Sequence, residues 1–479
     1  MSAPRHLHLI GICGTAMASL AGMLRQRGFQ VTGSDNAAYP PMWDFLRSLG
    51  IAIRQPYSEK HLAPVPDLVI VGNAISRGNP ELEHALDQRI PLASLPEILR
   101  REFLAGQERI VVAGTHGKTT TTSMLAWIFE VAGLKPSFLI GGLAENFGSS
   151  FALGEGEHFI LEGDEYDSAF FDKGPKFLHY FPDSLILTSV EFDHADIYKD
   201  LEAVKIAFKR LVNLVPRRGR IIAIDDSENV AECTAEASCP VERYGFSEGA
   251  DWRAVGLRFE PERTTWSIVR GGESSGNPWA NFEFALAGEY NVLNATAAAA
   301  LAAGYGIPPS VTAKALKTFK SVKRRLEVVA EVGGITMIDD FAHHPTAIAE
   351  TLKALRTRYP GRRLWAVLEP RSNTLRRNIF QPELVISLAL ADEVVMAGIF
   401  RADSIPENQR LDVGAVVGQL ERGGTPAREI ADVDAIVARL AAELRSGDVV
   451  AILSNGGFGG IYEKLPQRLK NLFGVSAKA

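Results

Sequence analysis

"RIVVAGTHGKTTTTSMLAWIFEVAG", residues 109–133, passes from an apolar β-type stretch through two glycines into a helical pattern that Gly133 stops. A phosphate-binding loop of the form G-x-x-x-x-G-K-[ST] has a glycine six places before its lysine. Here Val112 holds that place, and Gly114 comes only four before Lys118. The shortened loop keeps the groups that the chemistry needs. A helix start carries about half a positive charge and free N–H groups. Lys118 can reach β and γ oxygens, and the Thr119 hydroxyl can ligate Mg²⁺. Gly114, Thr115, His116, Gly117, Lys118, Thr119 and Thr120 are therefore expected to hold nucleotide phosphates; the bland alternative is a plain strand-to-helix turn.

Outward from this stretch, short β-type runs alternate with longer helical patterns. That rhythm predicts an α/β chain of βαβ units with mostly parallel sheets. Three blocks separate: 1–107, 108–324 and 325–479. The first opens with "HLHLI" (6–10), the turn "GICG" and a helix from about Ala16 to Arg27, then runs through "VTGSD" and "DLVIVGNA". The second carries the phosphate loop, "FILE", "SLILTS" and "RIIAI"; alternation over 250–285 predicts antiparallel strands added to its sheet. The third holds "LWAVL", "EVVMAG" and "VVAIL" with helices between them. A length of 479 residues fits several cores rather than one.

Lys and Arg number 51 against 57 Asp and Glu, a net charge of -6 without long runs of one sign, so a nucleic-acid footprint is not expected. Anionic substrates must then be met by local groups. Three cysteines, none in a C-x-x-C pattern, fit a reducing cytoplasm. Neither an export signal nor a membrane segment is expected.

Polar bursts finish several strands, which is where ligands sit in open α/β sheets. "FILEGDEYDSAFF" (159–171) sets four carboxylates after a strand, and Glu162 could ligate Mg²⁺; otherwise this is a solvated acidic loop. "EFDHAD" (191–196) puts His194 between two aspartates, a placement that suits metal. In "MIDDFAHHPTAI" (337–348), Asp340 could accept from ribose hydroxyls and His343 approach phosphate, or an aspartate could simply cap the helix. "LEPRSNT" (368–374) and "SNGGFGG" (454–460) could take an anionic second substrate. "LIGICGTAMASL" (9–20) lacks the G-x-G-x-x-G spacing of NAD sites, but its helix start suits a uridine diphosphate equally well.

Taken in order, "GTHGKTTT", "EGDEYD", "EFDHAD", "EYNVLNATAA", "KRRLE" and "DDFAHHP" resemble the Mur ligases over nearly the whole chain. The resemblance implies three domains: a Rossmann-like UDP-sugar-binding domain, a central P-loop ATPase domain with a mostly parallel sheet, and a Rossmann-like C-terminal domain for the incoming peptide. It implies an ATP-dependent amide-bond ligase of peptidoglycan metabolism, cytoplasmic, working with ATP and Mg²⁺ as a monomer or weak homodimer. Lys118, Glu162 and His194 would be catalytic, with Thr119, Glu162 and His194 on the metal. Asn291, Asn294, Arg325, Asp340 and His343 would complete the ATP site. Gly11, Gly14, Thr15, Ser34, Asp35 and Asn73 would bind the UDP-sugar.

Tyr290 departs from the His of many relatives. Lys209 falls near a position that some members carbamylate; the expectation here is an ordinary helix-surface lysine. "GICGTAM" and "DDFAHHP" point to members whose acceptor is the lactyl carboxylate of UDP-N-acetylmuramate. The stretch "SAFFDKGPKFLHYFP" (168–182), with "LEPRSNT" and "SNGGFGG", favours those adding the tripeptide L-alanyl-γ-D-glutamyl-meso-diaminopimelate in murein recycling over those adding L-alanine. Arg371, Ser372, Asn373, Asn455 and Gly456 would then meet the peptide. A regulatory P-loop switch and an NAD dehydrogenase are the rivals from other classes.

Overall fold

The computed structural model describes residues 5–36, 42–271 and 278–473. Residues 1–4 of the N-terminal stretch and 272–277 of the antiparallel segment lie outside them.

The first block forms an all-parallel sheet in the order Ile53–Arg54, Gln30–Ser34, His6–Ile10, Leu68–Val71, Leu92–Ser94. His6–Ile10 is buried along its whole length, as a strand covered on both faces must be. The helix Thr15–Gln26 covers one face, a residue from the expected start.

The central sheet has ten strands. Glu108–Ala113 lies in its middle, between Ser184–Leu187 and His158–Gly163 and parallel to both. The chain therefore leaves this strand at a point where the connections diverge to opposite sides, which opens a crevice beyond its carboxyl end. The phosphate loop stands at that crevice and runs into the helix Lys118–Val131. At one edge, Trp252–Phe259, Thr264–Arg270 and Ala280–Phe284 form the expected antiparallel meander.

The third sheet runs Glu327–Val332, Ile335–Asp340, Val449–Leu453, Leu364–Leu368, Glu393–Met396, Ala427–Glu429, antiparallel only at its first pair. Between the second and third sheets, Ser321, Arg324 and Leu326 take positive φ angles of 82°, 63° and 50°. The chain makes this crossover under local strain, and Asp340 holds it by accepting from the Leu326 and Ala342 N–H groups and the Thr351 hydroxyl. Among the described residues, no helix is long and apolar enough to cross a membrane.

Candidate active site

Two glycines shape the phosphate loop. Gly114 has a φ of 137°, and a Cβ there would lie 2.2 Å from the Thr188 hydroxyl. Gly117, at φ 79°, caps the helix, and its missing Cβ leaves room for the Asn294 side-chain oxygen. The loop is fastened to the next strand end: Thr115 N–H donates to the Ser189 carbonyl at 3.1 Å, and His116 N–H to the Ser189 hydroxyl at 2.9 Å.

Lys118 folds over this turn. Its ammonium donates to the Gly114 carbonyl at 2.6 Å and to Glu165 at 3.0 Å. Glu165 also meets His194 Nε2 at 3.0 Å, so one buried carboxylate joins the expected catalytic lysine and histidine. Burial opposes charging of Lys118, but Glu165 and Asp164 outweigh it and keep its pKa above the ordinary lysine value. Burial likewise works against the Glu165 anion, and Lys118 with His194 reverses it, holding that carboxyl below its usual range. His194 stays easier to protonate than a free imidazole, because Glu165 overcomes its burial.

Glu162 accepts from the Thr119 hydroxyl at 2.9 Å and from Gly141 N–H at 2.6 Å. A Cβ on Gly141 would fall 2.7 Å from that carboxylate, so the glycine cradles it. Burial raises the Glu162 pKa, the mark of a carboxylate short of positive charge. A hydroxyl, a carboxylate and an imidazole are donors suited to Mg²⁺ with water filling the remaining positions. Thr119 and Glu162 meet directly, whereas His194 joins them only through Glu165 and Lys118. Arg325 reaches the Thr119 hydroxyl at 3.5 Å while its guanidinium lies 5.2 Å from the Phe341 ring centre.

Asn291 is buried and donates to the Ala287 carbonyl, accepting in turn from Asn294 at 3.4 Å. It orients Asn294, and Asn294 is the residue that touches the loop. The Tyr290 ring and the Ala354 methyl both crowd Gly288, where a Cβ would come 2.7 and 2.9 Å from them. A cavity of about 440 Å³ beside the loop is bordered by Thr188, Ser189, Glu191, Asp226 and Asn229. A larger one, about 720 Å³, opens at the opposite ends of the same strands around Arg109 and Arg220, away from this chemistry.

The third sheet closes over the site. Thr374 donates to Asp193 at 2.6 Å, Asn373 to Asp196 at 2.7 Å, and Thr346 to Glu191 at 2.7 Å. His343 donates from Nδ1 to the Phe341 carbonyl, 2.9 Å away, and lies 3.9 Å from Asp193. His116, Glu191 and His344 gather so that their ligand atoms all lie within 4.8 Å of one another. This trio spans the interface, and its hydrogen bonds account for its closeness: His116 to Glu191 at 3.2 Å, and His344 to the Phe192 carbonyl at 3.2 Å.

In the first block, Gly11 takes φ 81° and Gly14 precedes the helix. Asp35 accepts from Cys13 N–H at 2.9 Å, and Tyr57 points its hydroxyl at the same carboxylate from 3.5 Å. Thr15 is half-buried and Asn73 exposed, both at the carboxyl-end crevice. Ser34, at the carboxyl end of its strand, is fully buried and donates to Glu81.

Ser372 is nearly buried, donating to the His343 carbonyl and accepting from Leu375 N–H, bonds that shape its loop. Arg371 lies across Gly456, where a Cβ would come 2.0 Å from its Nε. Asn455 keeps its side-chain oxygen buried without a partner. Lys209 donates to Glu232 on the neighbouring helix, as a surface lysine does.

Glu165, Asp193 and Thr374 were not singled out from the sequence. Glu165 stood inside the carboxylate burst, but only the turn after Gly163 shows which member of the burst faces Lys118.

Sequence families match all three parts: the Mur ligase family catalytic domain over residues 6–105, the Mur ligase middle domain over 112–302, and the glutamate ligase domain over 324–456. A UDP-N-acetylmuramate–L-alanyl-γ-D-glutamyl-meso-2,6-diaminoheptandioate ligase of Escherichia coli K12 is 44% identical over 460 residues, 96% of this chain and 97% of that protein. The chain belongs to the Mur ligase family.

Among Mur ligases, a UDP-N-acetylmuramate–L-alanine ligase of Paracidovorax citrulli is 33% identical, over 97% of each chain. A murein peptide ligase from Psychrobacter arcticus superposes with a TM-score of 0.74 at 36% identity, covering 99% of this chain and all of that one. The expected three-part α/β architecture is thus the architecture of a Mur ligase, and the dehydrogenase and regulatory-switch readings fall away.

Proposed function

We propose that this Mur ligase uses ATP to join L-alanyl-γ-D-glutamyl-meso-diaminopimelate to the lactyl carboxylate of UDP-N-acetylmuramate. The observation that carries the choice is the 44% identity, over almost the full length of both chains, to a ligase named for that tripeptide, against 33% to an L-alanine ligase. Residues 1–107 would bind the UDP-sugar, 108–324 ATP and 325–479 the peptide.

A carboxylate and an amine do not condense at neutral pH. The lactyl carboxylate oxygen instead attacks the γ-phosphorus of ATP, the bond to the β-phosphate oxygen breaks, and ADP leaves an acyl phosphate. Two anions must meet, and Lys118, the helix start and Arg325 place positive charge where they do. Thr119, Glu162 and His194 would hold Mg²⁺, which supplies further neutralisation of the phosphates. The peptide amine then attacks the acyl carbon, loses a proton, and phosphate departs.

Thr374 and Asn373, clasping Asp193 and Asp196, bring the peptide domain against this centre. Such positioning is worth up to roughly 7–11 kcal/mol in favourable systems. Asp340 and His343 would lie toward the nucleotide, and Arg371, Asn373, Asn455 and Gly456 toward the peptide. Phosphate release measured with ATP, Mg²⁺ and UDP-N-acetylmuramate, plus either tripeptide or L-alanine, tests the reading. Turnover with the tripeptide and little with L-alanine supports it; the reverse preference assigns the L-alanine reaction instead.

A further inference from the structure

The loop that clasps the central domain continues into a group of four arginines, three of which form no ion pair among the described residues. The Arg371 guanidinium lies 3.7 Å from the Phe400 ring centre, and Arg401 reaches the same ring at 5.2 Å. Arg376 donates to the Phe400 carbonyl at 3.2 Å and to the Ser404 hydroxyl at 3.0 Å. Arg377 follows it and donates to Gln409. Three of these four residues, Arg376, Arg377 and Arg401, form no ion pair with any carboxylate among the described residues. Arg371 has only Glu369, 3.4 Å away, whose other oxygen is taken by Ser454.

The Nε groups of Arg376 and Arg377 are buried without a hydrogen-bond partner, which is costly for donors on a charged group. Burial, then Arg377, Arg401 and Arg371, make Arg376 harder to charge than a free guanidinium, with Asp196 opposing. A carboxylate would satisfy such a set with charge-assisted, bidentate hydrogen bonds.

The cluster also stands where an extended substrate would run. Asn373 donates to Asp196, two residues from His194, and its oxygen accepts from Arg376 at 2.5 Å. The contacts Asp196–Asn373–Arg376 thus link the loop that carries His194 to the arginines. L-Alanine carries its single carboxylate beside the reacting amine and cannot extend to them. The tripeptide carries further carboxylates on its glutamyl and diaminopimelyl residues.

We propose that Arg371, Arg376 and Arg401, gathered around Phe400, form a subsite that reads the distal carboxylates of the incoming peptide. The proposal rests on the function proposed above and deepens it. The subsite selects by charge along the peptide, so the second and third residues bind through their acids.

The test is steady-state phosphate release by the full chain with ATP, Mg²⁺ and UDP-N-acetylmuramate, varying the tripeptide or the same tripeptide with its diaminopimelyl carboxylates amidated. Amidation should raise the wild-type KM for peptide by about tenfold or more, with the change in KM rather than kcat. Arg401→Gln, at an exposed position, and Arg376→Gln should each raise the KM for the acidic peptide and narrow its advantage over the amidated one; Arg401→Lys should recover part of the loss. Equal KM values for the two peptides on the wild type, or an undiminished preference in both Gln variants, would overturn the subsite while leaving the ligase reading intact. A wild type that turns over L-alanine but not the tripeptide overturns both.

Discussion

Thr374 donates its hydroxyl to Asp193 across 2.6 Å, and the two residues belong to loops of different sheets. Both are nearly buried, and Thr374 also accepts from Ala195 N–H at 3.2 Å. Asp193 adjoins His194, so the contact ties the third sheet's domain to the loop that carries an expected metal ligand. Removing the hydroxyl with Thr374→Val takes the acceptor from Ala195 N–H and leaves the Asp193 oxygen with His194 N–H alone, at a cost of about 1–3 kcal/mol for the stranded donor when no water replaces the hydroxyl. Peptide kcat/KM should fall at least about tenfold. The melting temperature of each domain should hardly move, since the loss is between domains. Unchanged kcat/KM would show that this contact does not govern closure.

The same interface should respond to acid. His344 is buried, and burial first, then His116, pushes its pKa down to about 4. A histidine that stays neutral in the fold binds its proton more readily when released. Closure is therefore favoured in full above about pH 6.5, weakens as pH falls from there, and reaches its maximum loss near pH 4. Glu191, which burial opposes but His116 and Thr346 hold near 2, adds a further loss below its ordinary range. The limit from His344 alone is on the order of 3 kcal/mol. Scattering or domain-pair fluorescence between pH 7.5 and 5 should show opening for the wild type and a flatter profile for His344→Asn. Identical profiles would exclude His344 as the cause.

Gly117 offers a local test of the short phosphate loop. A Cβ at φ 79° strains the backbone and would lie 2.5 Å from the Asn294 oxygen. Gly117→Ala should weaken ATP binding by at least about tenfold, since either the loop or Asn294 must shift. Calorimetric titration with ATP reads this directly. Affinity equal to wild type would mean that the turn tolerates the displacement and that its narrow form is not required.

Much of this arrangement was legible beforehand because strand ends in an α/β sheet share one edge. Glu162, His194 and the phosphate loop follow different strands, yet parallel pairing of Glu108–Ala113 with its two neighbours brings their ends together. The helix 118–131 and the meander after 250 could be read from period alone. Which partner a polar residue takes could not: Ser34 donates to Glu81, and Ser372 accepts from Leu375 in its own loop. Nor could pairings between distant loops, since nothing local to Thr374 points to Asp193. The Arg371–Phe400 contact likewise joins segments with no shared periodicity.

Glu165 provides the last test. It holds Lys118 Nζ at 3.0 Å on one side and His194 Nε2 at 3.0 Å on the other, at 3% side-chain exposure. Its charge stabilises Lys118 and at the same time competes with phosphate for that ammonium. Glu165→Gln leaves a buried lysine without its main counterion, and breaking a buried pair costs about 3–5 kcal/mol. The variant should melt below wild type at neutral pH. ATP phosphates can replace the lost anion, so ATP should raise the melting temperature of Glu165→Gln by more than it raises that of wild type. Turnover should fall at the same time, because the amide positions His194 less firmly than the carboxylate does. A smaller ATP-induced shift in the variant would mean that Glu165 assists nucleotide binding instead of competing with it.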